Sequence, residues 1–343
     1  MGHETGARRR MRLDREEWSR FWERGTLTTF EGHFGDNYDA EIRDFWWTEF
    51  ARLADGAVII DLATGNGALA LLAARHGREH GRAYDITGVD HAAIDKERVR
   101  AARPELGADL DGVRLLGNTP LEATGLPAGA ADLVISQFGF EYGDTAAGSR
   151  EAARLLRDGG RLAMILHHQG SAILSQAREG LRQVALCTER EPLLPLARRL
   201  AKLLRGLKPA PGNRGVQWSP GALKVREELL PVAARLESYA RRPEVRAEDA
   251  GFIEFMLPSV MRLVEQARAL DPRQLEAAWA ALGTEAETYR LRMSDLVSAA
   301  LDDGAMARVR EELAAAGFAT ITAGPLQYRG STLLGWALTA DKA

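Results

Sequence analysis

Two aspartates and two glycines near the start of the sequence have the types and spacing of a nucleotide-binding turn. Asp61 lies at the end of an apolar run, Val58–Leu62, and Gly65 and Gly67 follow it. Glycine lacks a Cβ atom, so the backbone there can turn tightly and lie against a ligand. Asp90 ends the next apolar run, at a distance that suits a carboxylate on two ribose hydroxyls. In the alternative interpretation, Asp61 caps the following helix and Asp90 only ends a strand.

The segments around these residues alternate between short β-like runs and helical patterns from residue 57 to residue 168. This alternation predicts βαβ units in a mostly parallel sheet that is covered on both faces. Ligands of such sheets bind in the crevice beyond the carboxyl ends of the strands. The predicted strands are Val58–Leu62, Ile86–Asp90, Val113–Leu116, Ala131–Ser136 and Arg161–His167. The predicted helices are Ala68–His76, Ile94–Ala102 and Arg150–Leu156, with a turn at Asp158–Gly160.

The rest of the chain has two further patterns. Residues 171–304 read as helix after helix, because apolar residues recur every three or four positions. After these helices the sequence predicts two strands, Ala319–Ala323 and Thr332–Thr339, which would form an antiparallel hairpin at the sheet edge. The predicted division is an aromatic-rich N-terminal helical or lid segment (1–50), a ligand-binding α/β domain (51–170 with 305–343) and a helical insertion (171–304). We expect the insertion to form a lid and to supply the substrate pocket.

The composition is that of an ordinary globular protein, with 343 residues, 45% hydrophobic, 27% charged and a formal net charge of −3. The weakly negative charge gives no electrostatic reason to expect a nucleic-acid partner. Cys187 is the single cysteine, which excludes an internal disulfide and favours a cytoplasmic location. The N-terminus lacks the apolar stretch of a secretory signal, and no run of about 18 apolar residues predicts a membrane span.

The sequence resembles the class I S-adenosylmethionine-dependent methyltransferases over residues 55–168 and 310–340. The first motif of that family, acid-x-Gly-x-Gly-x-Gly, is similar to residues 61–67. Ala63 replaces the first glycine, and a turn could absorb this departure if its φ stays negative. Asn118 stands where the family often has an aspartate that contacts adenine. The fourth strand motif, the following Gly-Gly turn and the terminal strand pair also resemble the family.

The resemblance implies an α/β, Rossmann-like class I methyltransferase fold. This is a mostly parallel seven-stranded sheet, its last strand antiparallel, with a large helical insertion between strands 5 and 6. It also implies S-adenosyl-L-methionine as cofactor and S-adenosyl-L-homocysteine as product. The cofactor-binding residues that it implies are Asp61, Ala63, Gly65, Asn66, Gly67, Asp90, His91, Asn118, Thr119 and Gln137. A nicotinamide-dependent oxidoreductase is the rival, because residues 65–70 satisfy Gly-x-Gly-x-x-Ala. The acid before the first glycine and the terminal hairpin argue against that rival.

Methyl transfer is a direct displacement that needs an aligned acceptor lone pair and the exclusion of water. A base helps only when the acceptor must lose a proton. The candidate catalytic side chains follow the fourth and fifth strands, and they are Glu141, Tyr142, His167 and His168. Successive side chains of a strand point in opposite directions, so only one of the two histidines can face the pocket. Glu141 could instead pair on a loop, and Tyr142 could pack on the sheet end. No ligand cluster accompanies the histidines, so we expect no metal site.

The N-terminal segment is rich in aromatic residues. Phe45, Trp46 and Phe50 are expected to pack on the sheet as a leading helix. The loop before them is expected to fold over the cofactor, because loops on a rigid scaffold often carry function. Phe34 and Tyr38 would then exclude water and contact the methionine end of the cofactor.

We therefore expect an S-adenosylmethionine-dependent methyltransferase that acts on an oxygen or nitrogen atom of a small-molecule acceptor. The alternatives are a methyltransferase for a peptide or an RNA, and a protein that binds S-adenosylmethionine for other chemistry. The aromatic N-terminus could pack against a second subunit and form a homodimer. The basic segment 193–208 is expected to be the solvated face of a helix, and a membrane surface or an acidic partner is the alternative.

Overall fold

The computed structural model of the chain describes residues 13–29, 37–208, 217–242 and 251–343. Within these ranges the strands are β1 Val58–Leu62, β2 Asp85–Val89, β3 Val113–Leu116, β4 Ala131–Gln137, β5 Leu156–His167, β6 Phe318–Tyr328 and β7 Thr332–Lys342. They form one sheet in the order β3-β2-β1-β4-β5-β7-β6. The pairs among β1 to β5 are parallel, and β7 is antiparallel to both of its neighbours. The predicted fold class is confirmed. A doubly wound dinucleotide-binding sheet has the order 3-2-1-4-5-6 instead, which argues against the oxidoreductase alternative.

The helices before β5 are α1 Arg15–Trp22, α2 Ala40–Ala51, α3 Ala68–Glu79, α4 Lys96–Ala102, α5 Gly107–Asp111 and α6 Thr145–Leu155. Those between β5 and β6 are α7 Ala172–Ala185, α8 Leu193–Arg205, α9 Pro220–Ala240, α10 Gly251–Gln266, α11 Pro272–Ala299 and α12 Asp303–Ala315. The predicted helical insertion between the fifth and sixth strands is therefore present.

The chain divides into two compact units, one formed by Met1–Leu174 with Asp295–Ala343 and the other by Ser175–Ser294. In the first unit the strands are apolar on both sides, as parallel strands covered by helices on both faces require. Residues of β4 and β5 form its core with α6 and α12, among them Val134, Leu162 and Met164. In α2, Trp46 and Phe50 are fully buried, while Phe45 is half-buried.

Strands β5, β6 and β7 are longer than predicted. β5 begins at Leu156 rather than at Arg161, because the expected Gly-Gly turn lies inside the strand as an irregularity in its pairing with β4. Gly159 has a φ of +69° there, a conformation that costs glycine no steric strain. The terminal hairpin is also longer than predicted, since β6 continues through the expected loop to Tyr328.

The second unit has its own apolar core, built from α8, α9 and α10 together with the end of α7 and the first part of α11. In α8, Leu200 and Leu204 are buried. Arg198 donates to Glu276 at 2.8 Å, and Arg205 donates to the carbonyl oxygens of Ala267 and Leu270. Two of the basic residues of this helix, Arg198 and Arg205, therefore have structural partners within the unit. Among the described residues, no helix combines the length and apolarity needed to cross a membrane.

Candidate active site

The polar side chains predicted to bind a ligand lie at one edge of the sheet. Asp61 is in the last part of β1, Asp90 directly follows β2, and Gln137 ends β4. Because these strands are parallel, their carboxyl ends meet at the same edge. Backbone hydrogen bonds tie the loops together there: the N–H of Thr64 donates to the carbonyl of Val89 at 2.9 Å.

The turn between β1 and α3 holds three residues at positive φ. Ala63 has a φ of +55°, Gly65 of +54° and Gly67 of +88°. The expectation that φ of Ala63 stays negative is wrong. A left-handed conformation costs a residue with a Cβ atom about 1–2 kcal/mol, so the turn keeps the shape of the glycine motif at an energetic cost. Gly67 is the N-cap of α3, and its left-handed backbone directs the chain into that helix.

A small cavity at the end of β1 contains two buried polar atoms that have no hydrogen-bond partner among the described residues. They are Oδ1 of Asp61 and Nε2 of Gln137. The other oxygens of the two side chains are held, since Thr64 Oγ1 donates to Asp61 Oδ2 and Trp46 Nε1 donates to Gln137 Oε1. Tyr38 also lines this cavity. The cavity thus presents one unused acceptor and one unused donor.

Burial controls the protonation of these groups. It raises the pKa of Asp61 to about 7, although the hydrogen bond from Thr64 acts in the opposite direction and the charge of Asp90 adds to the rise. Burial, followed by the charge of Asp61, also raises the pKa of Tyr38, so that phenol stays protonated. A cationic ligand group beside Asp61 would favour the carboxylate form.

A larger cavity of about 300 Å³ lies next to the small one, and both are lined by Trp22, Thr29, Ala63 and Phe138. Asp90 and His91 line it where the chain leaves β2. Asp90 Oδ2 accepts the backbone N–H of Gly65 at 2.7 Å, and Oδ1 accepts that of Ala92 at 2.8 Å.

Each carboxylate oxygen has two lone pairs, so Asp90 can still accept hydrogen bonds from ligand hydroxyls. Burial raises the pKa of Asp90, while the two backbone N–H groups lower it. The carboxylate therefore has a fixed orientation toward the cavity.

Helix α1 covers this part of the sheet edge. Trp18 and Trp22 line the larger cavity, and the indole of Trp22 lies directly over Gly65. The Asn66 side chain donates to the carbonyl oxygens of Trp22 at 3.0 Å and Thr26 at 2.7 Å. Asn66 was predicted to contact the cofactor. Its side chain instead ties the end of α1 and the residues that follow it to the glycine turn.

The candidate catalytic residues after β4 face different cavities. Tyr142 lines the larger cavity, and its ring packs edge-on against Trp18 with 5.8 Å between centroids. Burial raises the pKa of Tyr142 well above its ordinary value. Glu141 does not line either cavity of the strand edge. Its Oε1 accepts the backbone N–H of His167 at 2.6 Å, and the side chain lines a separate cavity between α6 and α12.

The two histidines lie on opposite sides of β5. His167 is buried and stacks on Phe138 with 4.4 Å between ring centroids. It therefore packs against a residue that lines both cavities. Burial lowers its pKa to about 3, and the imidazole is therefore neutral. His168 packs on Trp336, and its Nδ1 accepts the N–H of Gly170. Neither imidazole is among the residues that line the two cavities.

The adenine residues expected after β3 are also placed differently. Asn118 accepts a hydrogen bond from Arg15 of α1 at 3.3 Å, and the backbone N–H of Thr119 donates to the carbonyl of Asp90 at 2.8 Å. Neither side chain is among those that line the two cavities, where Pro120 and Leu121 are found instead. Phe34 lies outside the described residues.

Among the lining residues of the larger cavity that sequence reasoning missed are Trp18, Trp22 and Asp295. Trp18 and Trp22 are four positions apart, the spacing of one helix face, and this periodicity was the available signal. Asp295 is distant in sequence, is buried, and accepts the backbone N–H of Leu13. No local pattern marks Asp295. In the described ranges, no cluster of three or more His, Cys, Asp or Glu side chains could hold a metal ion.

The pair of cavities fits S-adenosylmethionine. The small cavity offers a free carboxylate oxygen for an α-ammonium group and a free amide N–H for an α-carboxylate. The larger cavity offers Asp90 for ribose hydroxyls and apolar walls for a flat base. The small cavity therefore suits the amino-acid part of the cofactor, and the adjacent larger cavity suits the sugar and the base that are joined to it.

The chain is similar to known methyltransferases. The family model of a methyltransferase domain matches residues 60–164. Similar solved structures include a geranyl diphosphate methyltransferase in complex with GPP and sinefungin, which is 20% identical with a TM-score of 0.35 over 45% of this chain and 66% of that chain. Another is a putative S-adenosylmethionine-dependent methyltransferase from Methanococcus maripaludis, 20% identical with a TM-score of 0.31 over 37% of this chain and 54% of that one. A third is the DszA carbon methyltransferase, 11% identical with a TM-score of 0.39 over 87% of this chain and 50% of that one.

This chain thus spans less than two thirds of the length of each of these three proteins. The matched region begins in β1 and ends in β5, so it contains Asp61, the glycine turn and Asp90. Residues 60–164 thus match a methyltransferase domain, and the order of the sheet is that of the class I S-adenosylmethionine-dependent methyltransferase fold.

Proposed function

We propose that the chain transfers the methyl group of S-adenosylmethionine to an oxygen or nitrogen atom of a small-molecule acceptor by direct displacement. One observation carries the cofactor part of this proposal. Asp61 Oδ1 and Gln137 Nε2 are buried and unpartnered among the described residues, and they line a cavity next to the one that Asp90 lines. Buried polar atoms are costly to leave without partners, so their survival here favours a ligand that satisfies both.

Three side chains would bind different parts of the cofactor. Asp61 would hold the ammonium group, Gln137 the carboxylate of the amino-acid end, and Asp90 the ribose hydroxyls. Trp46 fixes the Gln137 amide by occupying its oxygen, which leaves the N–H groups directed to the ligand. The backbone of the glycine turn fixes Asp90 in the same way. Preorganised groups of this kind lose little entropy when the ligand binds.

When bound, the cofactor supplies a methyl group that is already activated by a positively charged sulfur. The protein must then exclude water and hold the acceptor in line. Trp18, Trp22 and Phe138 provide apolar walls around the larger cavity. Tyr142 keeps its proton because its pKa is raised, so it can donate a hydrogen bond to an acceptor atom but does not serve as a base. Asp295 lines the same cavity and can take a proton from an acceptor that must lose one.

The size of the cavity favours a small acceptor over a peptide or an RNA. The larger cavity, of about 300 Å³, is at the lower end of small-molecule sites, and it must hold the nucleoside of the cofactor as well as the acceptor. The formal net charge of −3 also gives no electrostatic attraction for a phosphate backbone. The lid role expected for the helical insertion stays a prediction.

The test is a turnover assay with the full-length chain. The enzyme is incubated with S-adenosylmethionine labelled in the methyl group and with panels of small amines, phenols and carboxylates. S-adenosylhomocysteine release and an acceptor mass increase of one methyl group are the expected results. Asp90→Ala, which should bind the cofactor at least about tenfold more weakly, is the matched control of lowered activity. Labelling of a peptide or RNA panel alone would overturn the small-molecule proposal, and cofactor binding without any transfer would favour a non-methylating protein.

Two further expectations remain proposals. A cytoplasmic location rests on the single, buried Cys187 and is tested by cell fractionation. A homodimer rests on the aromatic N-terminus and is tested by light scattering after size-exclusion chromatography. In the structure, α1 packs over the cavity of its own chain, so truncation of α1 should impair cofactor binding whether or not a dimer forms.

A further inference from the structure

A third cavity lies between α6 and α12, apart from the two cofactor cavities. Its volume is about 400 Å³, and of its described lining residues Gly143 is shared with the larger cofactor cavity. Its walls come from the turn after β4, the start of α6, the segment before α12, and α12 itself. None of the cofactor-binding groups assigned above line it, so it is a separate candidate site.

Two carboxylate oxygens of this cavity have no hydrogen-bond partner among the described residues. One is Oε2 of Glu141, whose side chain is only 3% exposed and whose Oε1 is held by the N–H of His167. The other is Oε2 of Glu312, which projects from α12. Burial raises the pKa of Glu141 to about 7, as expected for a carboxyl group that lacks a cationic partner. Both oxygens can accept hydrogen bonds that the described part of the protein does not supply.

The charges around the cavity favour a cation. The acidic lining residues are Glu141, Asp144 and Glu312, and Arg308 is the basic one in the described lining. Helix N-termini attract anions, but the two at this cavity have caps of their own. Asp144 accepts the N–H of Ala147 at the start of α6, and Asp302 caps α12 in the same way. Glu141 and Glu312 are the carboxylates of this cavity that do not cap either helix.

We propose that this cavity binds the ammonium group of a small aliphatic amine, which donates hydrogen bonds to Oε2 of Glu141 and Oε2 of Glu312. An ammonium group has three N–H donors and no acceptor, which matches two unpartnered carboxylate oxygens. A divalent metal ion fits less well, because no group of three potential ligand side chains occurs in the described ranges. Ala305 and Val309 supply apolar surface for a short aliphatic chain.

The test is a calorimetric titration of the full-length chain with 1,4-diaminobutane as the probe. The wild-type chain should bind it saturably, with a dissociation constant in the millimolar range or below. Tetramethylammonium at the same ionic strength is the matched ligand control, because it carries the charge without N–H donors. It should bind at least about tenfold more weakly.

Variants then locate the site. Glu312→Gln should weaken diamine binding about tenfold, because it removes a charge-assisted hydrogen bond. Glu311→Gln, at the exposed neighbouring position of α12, should leave binding unchanged. Glu141→Gln should weaken binding by at least as much as Glu312→Gln. Retained binding of S-adenosylhomocysteine by each variant shows that it is folded.

The proposal is overturned if the wild-type chain shows no saturable uptake of the diamine. It is also overturned if Glu312→Gln, folded by the cofactor criterion, binds the diamine as tightly as Glu311→Gln does. Equal binding of tetramethylammonium and the diamine would likewise exclude hydrogen bonding to the two glutamates. Because the binding assay needs no methyl transfer, these outcomes are independent of the proposed enzymatic function.

Discussion

Gly65→Ala is the substitution whose effect the structure defines most sharply. Gly65 has a φ of +54°, and a Cβ atom added there would lie 2.5 Å from Cζ2 of Trp22. Two separate penalties follow. The left-handed backbone costs an alanine about 1–2 kcal/mol. The steric conflict with the indole adds overpacking, which typically costs about 1–3 kcal/mol. The variant should therefore lose about 2–5 kcal/mol of unfolding free energy.

A double-mutant cycle with Trp22→Ala separates the two penalties. In the Trp22→Ala background the three atoms nearest to the added Cβ, all of the Trp22 indole, are absent, so Gly65→Ala should cost mainly the backbone strain of about 1–2 kcal/mol. Urea unfolding measures the four free energies, and calorimetry with S-adenosylhomocysteine measures binding in parallel. Gly56→Ala is a control, because Gly56 also has positive φ but no atom lies within 4 Å of its added Cβ.

An equal cost of Gly65→Ala in both backgrounds would contradict a steric conflict between the two residues. That result would mean that Trp22 does not lie on the glycine turn, and α1 would lose its role as cover of the cofactor cavity. A Gly56→Ala variant as unstable as Gly65→Ala would also contradict the steric part of the estimate.

Three other variants test the site. Folding raises the pKa of Asp61 from 3.8 to about 7, so the folded chain binds more protons between these values and its stability should fall as pH rises through that window. Urea unfolding at several pH values measures how the unfolding free energy changes with pH. Asp61→Asn should remove a pH-dependent change on the order of 4 kcal/mol from that free energy. An unchanged pH dependence would contradict the burial of a titrating carboxyl group. Asp90→Ala should weaken S-adenosylhomocysteine binding at least about tenfold in calorimetry and cost about 1–3 kcal/mol of stability, because two backbone N–H groups lose their acceptor. Trp46→Phe keeps the packing but leaves Gln137 Oε1 without its donor, so it should cost about 1–3 kcal/mol in urea unfolding; a neutral effect would show that the indole N–H does not hold Gln137.

The sheet was predictable because its signals are local. The run Val58–Leu62 is apolar enough to be a strand buried on both sides, and the glycines after it can only serve a tight turn or a close approach. The Asp61 and Asp90 positions followed from the same logic, since both end such runs. The error at Ala63 arose because φ is set by the turn as a whole, and the residue type alone gives only a preference.

The packing of α1 over the larger cavity could not be predicted from local sequence patterns. Trp18 and Trp22 form one face of α1, but which surface that face meets depends on the whole chain. Asp295 approaches the larger cavity from a position more than a hundred residues after the last parallel strand, and sequence spacing carries no information about such contacts. Glu141 and Tyr142 are neighbours in sequence yet line different cavities, because the turn after β4 directs their side chains apart.

The most direct test of the account is a crystal structure of the chain with S-adenosylhomocysteine bound. The ammonium nitrogen should lie about 3 Å from Oδ1 of Asp61, and the ribose hydroxyls should lie at the same distance from the carboxylate of Asp90. Electron density for the nucleoside at any other part of the sheet, or an ammonium group that does not contact Asp61, would contradict it.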